Sequence, residues 1–303
     1  MGKAERNRAA NARQRIAQQQ EAARRAEAQR RLLIVGGSAL MVIVIVVGLV
    51  VVRSLTKTSA APRAASTAAK TNANLQNLIT NVPEAVLTKV GAGPTGTAAV
   101  APLKTITDKP LTQDGKPEVL FMGAEYCPFC GAERWALTEA LSRFGTFSDL
   151  HFIHSSSTDT YADTPTLTYY KSTYTSKYIS FQPIEEETVT SQPLQKATTA
   201  ETALINKYTG GEFPFVDVGG KYIVDGAQYQ PSTFGAVATP GQDSKSILTW
   251  AEVANDMQNP DSPVAQEILG AANHITAAIC KITNGQPGSV CKSPSVTSIG
   301  GDI

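Results

Sequence analysis

The sequence predicts a mixed α/β domain preceded by one membrane-spanning helix, on three observations. Val119-Leu120-Phe121-Met122-Gly123-Ala124 is a short apolar run of strand character. It leads through Cys127-Pro128-Phe129-Cys130 into residues 131–141, where apolar positions recur at helical spacing. Far upstream, residues 32–52 are twenty-one positions without a charge, long enough at about 1.5 Å per residue to cross a bilayer core.

From the N-terminus, residues 1–31 form a basic arm with nine Lys/Arg against three Asp/Glu. That bias predicts an arm on the cytoplasmic side of a transmembrane helix at 32–52. A cleaved signal peptide is the alternative, but its apolar core is about 7–15 residues long and ends at a small-residue site. This run is longer, and no A-x-A follows it directly. The basic arm also has the composition of a nucleic-acid-binding tail; anionic lipid headgroups account for the same charges, so the bilayer is the expected partner and nucleic acid is not. Taking the arm's excess of six positive charges from a whole-chain balance of +1 leaves the remainder at −5. Residues 53–80 read as a flexible tether, because 54–74 are rich in Ala, Ser, Thr and Lys with no apolar period. Residues 81–295 are then one domain of ordinary size, and 296–303 a frayed tail. No internal repeat is visible.

Within the domain, Val82, Val86 and Val90 at four-residue spacing predict a short helix that Gly91 ends. Residues 103–107 are a first strand and 118–123 a second. Pro128 suits the first turn of the helix that follows, where a missing N–H costs little, and that helix runs to about Phe144-Gly145. Residues 150–154 are predicted to return as a strand parallel to 118–123 by a right-handed crossover. Residues 164–189, rich in Thr, Tyr and Ser, read as an inserted hairpin or extended segment. A helix over 199–208 stops at Gly210-Gly211. Gly219-Gly220 between apolar runs is a hairpin signal, and helices over 249–258 and 263–283 close the domain.

A C-x-x-C pair between a strand and a helix reads as a dithiol redox motif. The helix N-terminus favours a thiolate on Cys127, the species that attacks a disulfide. The motif resembles that of the thioredoxin-like thiol–disulfide oxidoreductases. So does Gly211-Glu212-Phe213-Pro214-Phe215-Val216-Asp217-Val218-Gly219-Gly220-Lys221-Tyr222-Ile223-Val224, which is similar to the cis-proline loop and hairpin of that fold. Ala124-Glu125-Tyr126-Cys127-Pro128-Phe129-Cys130 and Thr173-Tyr174-Thr175-Ser176-Lys177-Tyr178-Ile179-Ser180-Phe181 resemble, more narrowly, a membrane-anchored thioredoxin-like family of unknown function, DUF929, over roughly residues 80–295. The resemblance implies a thioredoxin-like fold with an inserted segment and C-terminal helices. It implies that Cys127 attacks, Cys130 resolves and Pro214 lies beside them, with Cys127 exposed and Cys130 covered. Phe129, Phe213 and Tyr126 would then border the substrate strand, held by backbone hydrogen bonds as an added edge. The expected partners are thiols and disulfides of exported proteins and a redox protein of the membrane, with the domain outside. No cofactor is expected. A binding or scaffold module with a structural Cys127–Cys130 bond, or a client-specific assembly factor, is the alternative, because fold does not fix function.

One departure bears on chemistry. Many thioredoxins carry a buried acid six residues before the first cysteine, and here that position is Phe121. Glu125 and Glu133 flank the motif and read as solvated surface charges. Cys280 and Cys291, with ten residues between them, read as a structural disulfide in an oxidising compartment, with a second redox pair as the alternative. A loop of that size contributes about 2–3 kcal/mol. Zinc on four cysteines is disfavoured, since the second pair is too widely spaced for a ligand pair. His151 and His154 point to opposite faces of one strand, and His274 has no ligand spacing to Cys280. Tyr169, Tyr170, Tyr174 and Tyr178 are read as strand packing.

Overall fold

The computed structural model describes residues 61–96, 99–238 and 247–299. The chain divides at Ala65/Ser66, and the architecture below is that of Ser66–Ile303 with the start of the helix that leads into it. The predicted transmembrane helix at 32–52 and the basic arm lie outside the described residues. Among the described residues no helix is long and apolar enough to cross a membrane.

Two helices lead in, α1 (Ala61–Thr80) and α2 (Glu84–Val90). The central sheet combines β1 (Lys104–Thr105), β2 (Thr112–Gln113), β3 (Lys116–Gly123), β8 (Ser180–Glu185), β9 (Phe215–Val218) and β10 (Tyr222–Asp225). β3 lies between β8 and β9, and β10 and β1 continue the sheet beyond β9. β3 and β8 are parallel, with Glu118 opposite Ser180 and Gly123 opposite Glu185. β9 and β10 are antiparallel to their neighbours. Gly219 and Gly220 turn the β9–β10 hairpin at φ 69° and 70°, a backbone that a residue with a Cβ adopts only under strain.

The sequence of β3 explains its central place. Val119 and Phe121 join the apolar cluster on one face, and Leu120 and Met122 join Ile184, Ile205 and Phe215 on the other. With both faces covered, the strand is apolar at consecutive positions instead of alternating. α3 (Pro128–Ser142) packs with the long helix α6 (Pro263–Ile282) on the first face. On the other, Ile205 of α4 (Thr199–Thr209) packs against the sheet. α4 opens with a capping box between Thr198 and Glu201 and ends at Gly210 with φ 71°, as the Gly-Gly pair predicts. α5 (Trp250–Asp256), α7 (Gly288–Cys291) and α8 (Pro294–Thr297) complete the helices.

Four expectations need correction. Residues 150–154 are not the parallel neighbour of β3. β5 (His151–His154) pairs antiparallel with β6 (Pro165–Thr168), and β4 (Gly145–Ser148) pairs antiparallel with β7 (Thr173–Ser176). Residues 164–189 are extended but are not one hairpin, since β6, β7 and β8 pair with β5, β4 and β3, and the parallel neighbour of β3 is β8. The tether at 53–80 is helical from Ala61, with Leu75 and Ile79 buried four residues apart on one face and Gln76 Nε2 donating to the Phe147 carbonyl at 2.9 Å. The tail is not frayed through residue 299, since Ser295, Val296 and Ile299 are buried. There the Arg143 guanidinium donates to both Ser293 and Ser295 hydroxyls, at 3.1 and 3.0 Å.

The candidate dithiol site

Cys127 is the N-cap of α3 and Pro128 its first residue. The Cys127 Sγ accepts the backbone N–H of Cys130 at 3.1 Å, so the sulfur occupies the place that a hydroxyl or carboxylate takes in an ordinary cap. Both cysteines are unbonded. Their environments split their acidities. The side-chain hydrogen bond with Cys130 lowers the Cys127 thiol against burial, helped by the N–H groups of Cys130 and Phe129 and by the Arg134 charge. Burial pushes the Cys130 thiol up, and its neighbour Cys127 adds to that. A thiol prepared to be an anion thus stands beside one prepared to keep its proton.

Beneath the pair lies a charge that the sequence reading did not single out. Arg134, one turn beyond Cys130, and Glu185, at the end of β8, form an ion pair with no exposure on either side chain. Arg134 Nε and Nη2 donate to Glu185 Oε1 and Oε2 at 2.9 and 2.6 Å, a bidentate fork. Nη2 also donates to the Ala124 carbonyl at 2.7 Å. Burial works against the Arg134 charge, but Glu185 outweighs it and raises the guanidinium pKa. The available signal was the i, i+4 spacing from Cys130, which puts a charged residue on the face of α3 that carries the thiol.

The other side of the site is set by β9. Met122 pairs with Phe215 at the end of the ladder, and Pro214 directly precedes that strand as Gly123 directly follows Met122. A Cβ at Gly123 would stand 3.2 Å from Cys130 Sγ and 2.7 Å from Phe121 Cζ. Glycine there lets the strand, the ring and the thiol meet. The Phe213–Pro214 bond is cis. Phe213 is half-buried and packs against both apolar clusters, the first of which holds Cys127 and Cys130.

Residues 156–166 pack against the motif. Ser156 N–H donates to the Tyr126 carbonyl at 2.9 Å, Thr166 Oγ1 to the Gly131 carbonyl at 2.9 Å, and Trp135 Nε1 to the Pro165 carbonyl at 2.9 Å. Tyr161 meets Phe129 edge to face at 5.6 Å. Tyr126 and Phe129 remain half-buried. Burial raises the Tyr126 phenol, with Glu187 and the two cysteines adding to it. Cys127 is only 7% exposed, which corrects the expectation of an exposed attacking thiol.

Both flanking acids are also buried, against the surface reading. Glu125 is 9% exposed and Glu133 fully covered. Burial pushes Glu133 up to about 7, although its Oε2 accepts the Gln228 N–H at 3.0 Å. Phe121 is buried, with the Arg134 guanidinium 5.5 Å from its ring centre. His151 is exposed, and His154 packs on Trp250 at 4.4 Å. Tyr169 is buried with its hydroxyl 3.0 Å from Thr138 Oγ1, and Tyr174 donates to the Leu141 carbonyl at 2.8 Å. Tyr170 and Tyr178 are half-buried. Among the described residues no group of three or more His, Cys, Asp or Glu is placed to hold a metal ion. Cys280 and Cys291 are joined by a disulfide.

Fold and site define a mixed α/β protein with a free dithiol at a helix N-terminus over a buried ion pair. The chain matches the family described as Domain of unknown function (DUF929) over residues 103–281, more than half its length, and belongs to that family. No curated protein and no solved structure matches it.

Proposed function

We propose that this protein is a thioredoxin-like thiol–disulfide oxidoreductase, anchored by residues 32–52 to the cytoplasmic membrane, with its domain outside and its substrates the cysteines of exported proteins. The observation that carries the reading is the Cys127 sulfur capping α3, its thiol pKa lowered, beside a covered Cys130. The topology supports it. β3–α3–β8–α4 followed by the β9–β10 hairpin gives the strand order β10-β9-β3-β8, an order in keeping with a thioredoxin-like core. Pro214 directly precedes Phe215, the partner of Met122, while Gly123 directly follows Met122 and lies against Cys130.

In the reducing direction the Cys127 thiolate attacks one sulfur of a substrate disulfide. A Cys127–substrate disulfide forms, and the other substrate sulfur leaves as a thiolate that takes a proton from water. Cys130 then loses its proton and attacks Cys127 Sγ, expelling the second substrate thiolate. The substrate gains two electrons, and the Cys127–Cys130 disulfide holds the oxidised state until a redox protein of the membrane reduces it. In the oxidising direction every step runs backwards, and the direction follows the potential of the pair against its partners.

A scaffold or assembly-factor reading draws on the 7% exposure of Cys127. Trapping separates the readings. Cys130→Ser is expected to accumulate mixed disulfides with exported proteins through Cys127, and Cys127→Ser is not. Equal trapping by both variants contradicts the assigned roles, and trapping of a single client would favour the assembly factor.

A further inference from the structure

We propose that Arg134 is the positioning residue of the dithiol, its guanidinium fixed by Glu185 and the Ala124 carbonyl so that a buried positive charge underlies both sulfurs. The inference rests on the redox reading of the site and adds the group that sets its thiol acidity.

The geometry is contiguous. Arg134 follows Cys130 by four residues and Cys127 by seven, so all three lie on one face of α3. The Ala124 carbonyl accepts from Arg134 Nη2 at 2.7 Å and from the Cys127 backbone N–H at 3.2 Å. One oxygen therefore joins the guanidinium to the helix cap. The Phe121 ring lies 5.5 Å from the guanidinium, and its edge crowds the same point beside Gly123 as Cys130 Sγ. Arg134 Nη1 is buried and, among the described residues, without a hydrogen-bond partner, which leaves part of its donor capacity unspent. Two of the other nitrogens are held by Glu185, so the charge cannot swing away.

A fixed cation suits a site whose acid is missing. With Phe121 in place of a carboxylate, no anion opposes the thiolate from that strand, and the buried cation can stabilise a negative sulfur without itself titrating. Cys130 and Arg134 on α3 act on Cys127 directly, and Glu133 lies between them on that helix. Glu185 at the end of β8 pairs with Arg134, Tyr126 and the buried Glu125 precede Cys127 in the chain, and Glu187 and Asp159 act on Tyr126. Arg134 is the cation in this set. Its charge lowers both thiols.

The test is the pH dependence of Cys127 alkylation by iodoacetamide in the reduced full-length chain, read by peptide mass. Arg134→Met leaves Glu185 buried without its partner and is prone to misfold. Arg134→Met with Glu185→Gln removes both charges and keeps an acceptor for the Tyr169 N–H, which Glu185 Oε1 receives at 3.2 Å. The double variant is expected to raise the Cys127 midpoint by about one pH unit or more, which is about tenfold less thiolate at a pH below both midpoints. Arg134→Lys with Glu185 intact keeps the charge and is expected to restore most of the lower midpoint. A folded double variant with an unmoved midpoint overturns the proposal. If the midpoint moves but the wild-type chain neither reduces nor oxidises a protein disulfide, the redox reading fails and the role of Arg134 in thiol acidity stands.

Discussion

Cys127 and Cys130 lie at the start of a helix, over a buried cation and unbonded to each other. Cys280 closes the last turns of another helix and is bonded to Cys291. The contrast follows from which end of a helix holds the sulfur. At the N-terminus of α3 unpaired N–H groups and the positive end of the helix dipole stabilise a thiolate. At the C-terminus of α6 the groups facing outward are carbonyls, and the Cys280 carbonyl there accepts the Gly285 N–H at 2.8 Å. The negative dipole end disfavours a thiolate and suits a disulfide that stays closed. The two pairs are also at opposite ends of β9. Phe215 at its start pairs with Met122, next to Gly123 and Cys130, whereas Gly219 follows it and packs on Ile282, two residues from Cys280, with a Cβ there coming 2.9 Å from Ile282 Cγ2. That separation argues against a direct relay between them.

The largest effect expected is at the first pair. Cys127→Ser should abolish turnover of a model protein disulfide by the full chain, and residual turnover above a few per cent would remove Cys127 from the attacking role. At the second pair, Cys280→Ala with Cys291→Ala should cost about 2–3 kcal/mol in urea unfolding while leaving the alkylation midpoint of Cys127 in place. A moved midpoint would join two pairs that the fold keeps apart. Gly123→Ala sharpens the first environment, since its Cβ would press the Phe121 ring and Cys130 Sγ. The expected cost is about 1–3 kcal/mol, with slower release of trapped substrate, and a neutral substitution would contradict the close approach.

The smallest expected effect concerns Glu133. Its folded pKa of about 7 is raised by burial from the model-compound value of 4.5. The folded protein therefore holds this proton more tightly than the unfolded chain, so stability falls as pH rises between those values and levels off above the higher one. Glu139, also pushed to about 7 by burial, and Asp217, pushed to about 6, act in the same sense. Glu133→Gln should flatten part of this slope and add about 1–2 kcal/mol above pH 7, measured by urea titration at several pH values. An unchanged slope would mean that Glu133 is solvated after all.

The site was more legible in the sequence than the path of the chain around it. Strand, cap and helix at Cys127, and the turn at Gly219-Gly220, are local patterns, and they fall within a few residues of the predicted positions. The partner of β3 was not local. Residues 150–154 carry Leu150, Phe152 and Ile153 and come soon after α3, as a crossover strand should, whereas β8 contains Gln182 and Pro183 and looks unlike a core strand. β8 tolerates Pro183 because it pairs with β3 on one side only. Glu133 and Arg134 look like surface charges because nothing adjacent in sequence covers them. Glu185 and Gln228, brought in from about fifty and ninety-five residues away, pair with Arg134 and Glu133. The segment from Ala61 reads as a tether by composition, yet alanine is the strongest helix former, and Leu75 and Ile79 give that helix a buried face.

The reduction potential of Cys127–Cys130 in the full-length chain, measured by equilibration against glutathione with a mass readout, tests the central claim most directly. A working oxidoreductase is expected to fall between about −120 and −270 mV. A pair that stays oxidised well below about −300 mV would be a structural bond, and the redox account would be contradicted.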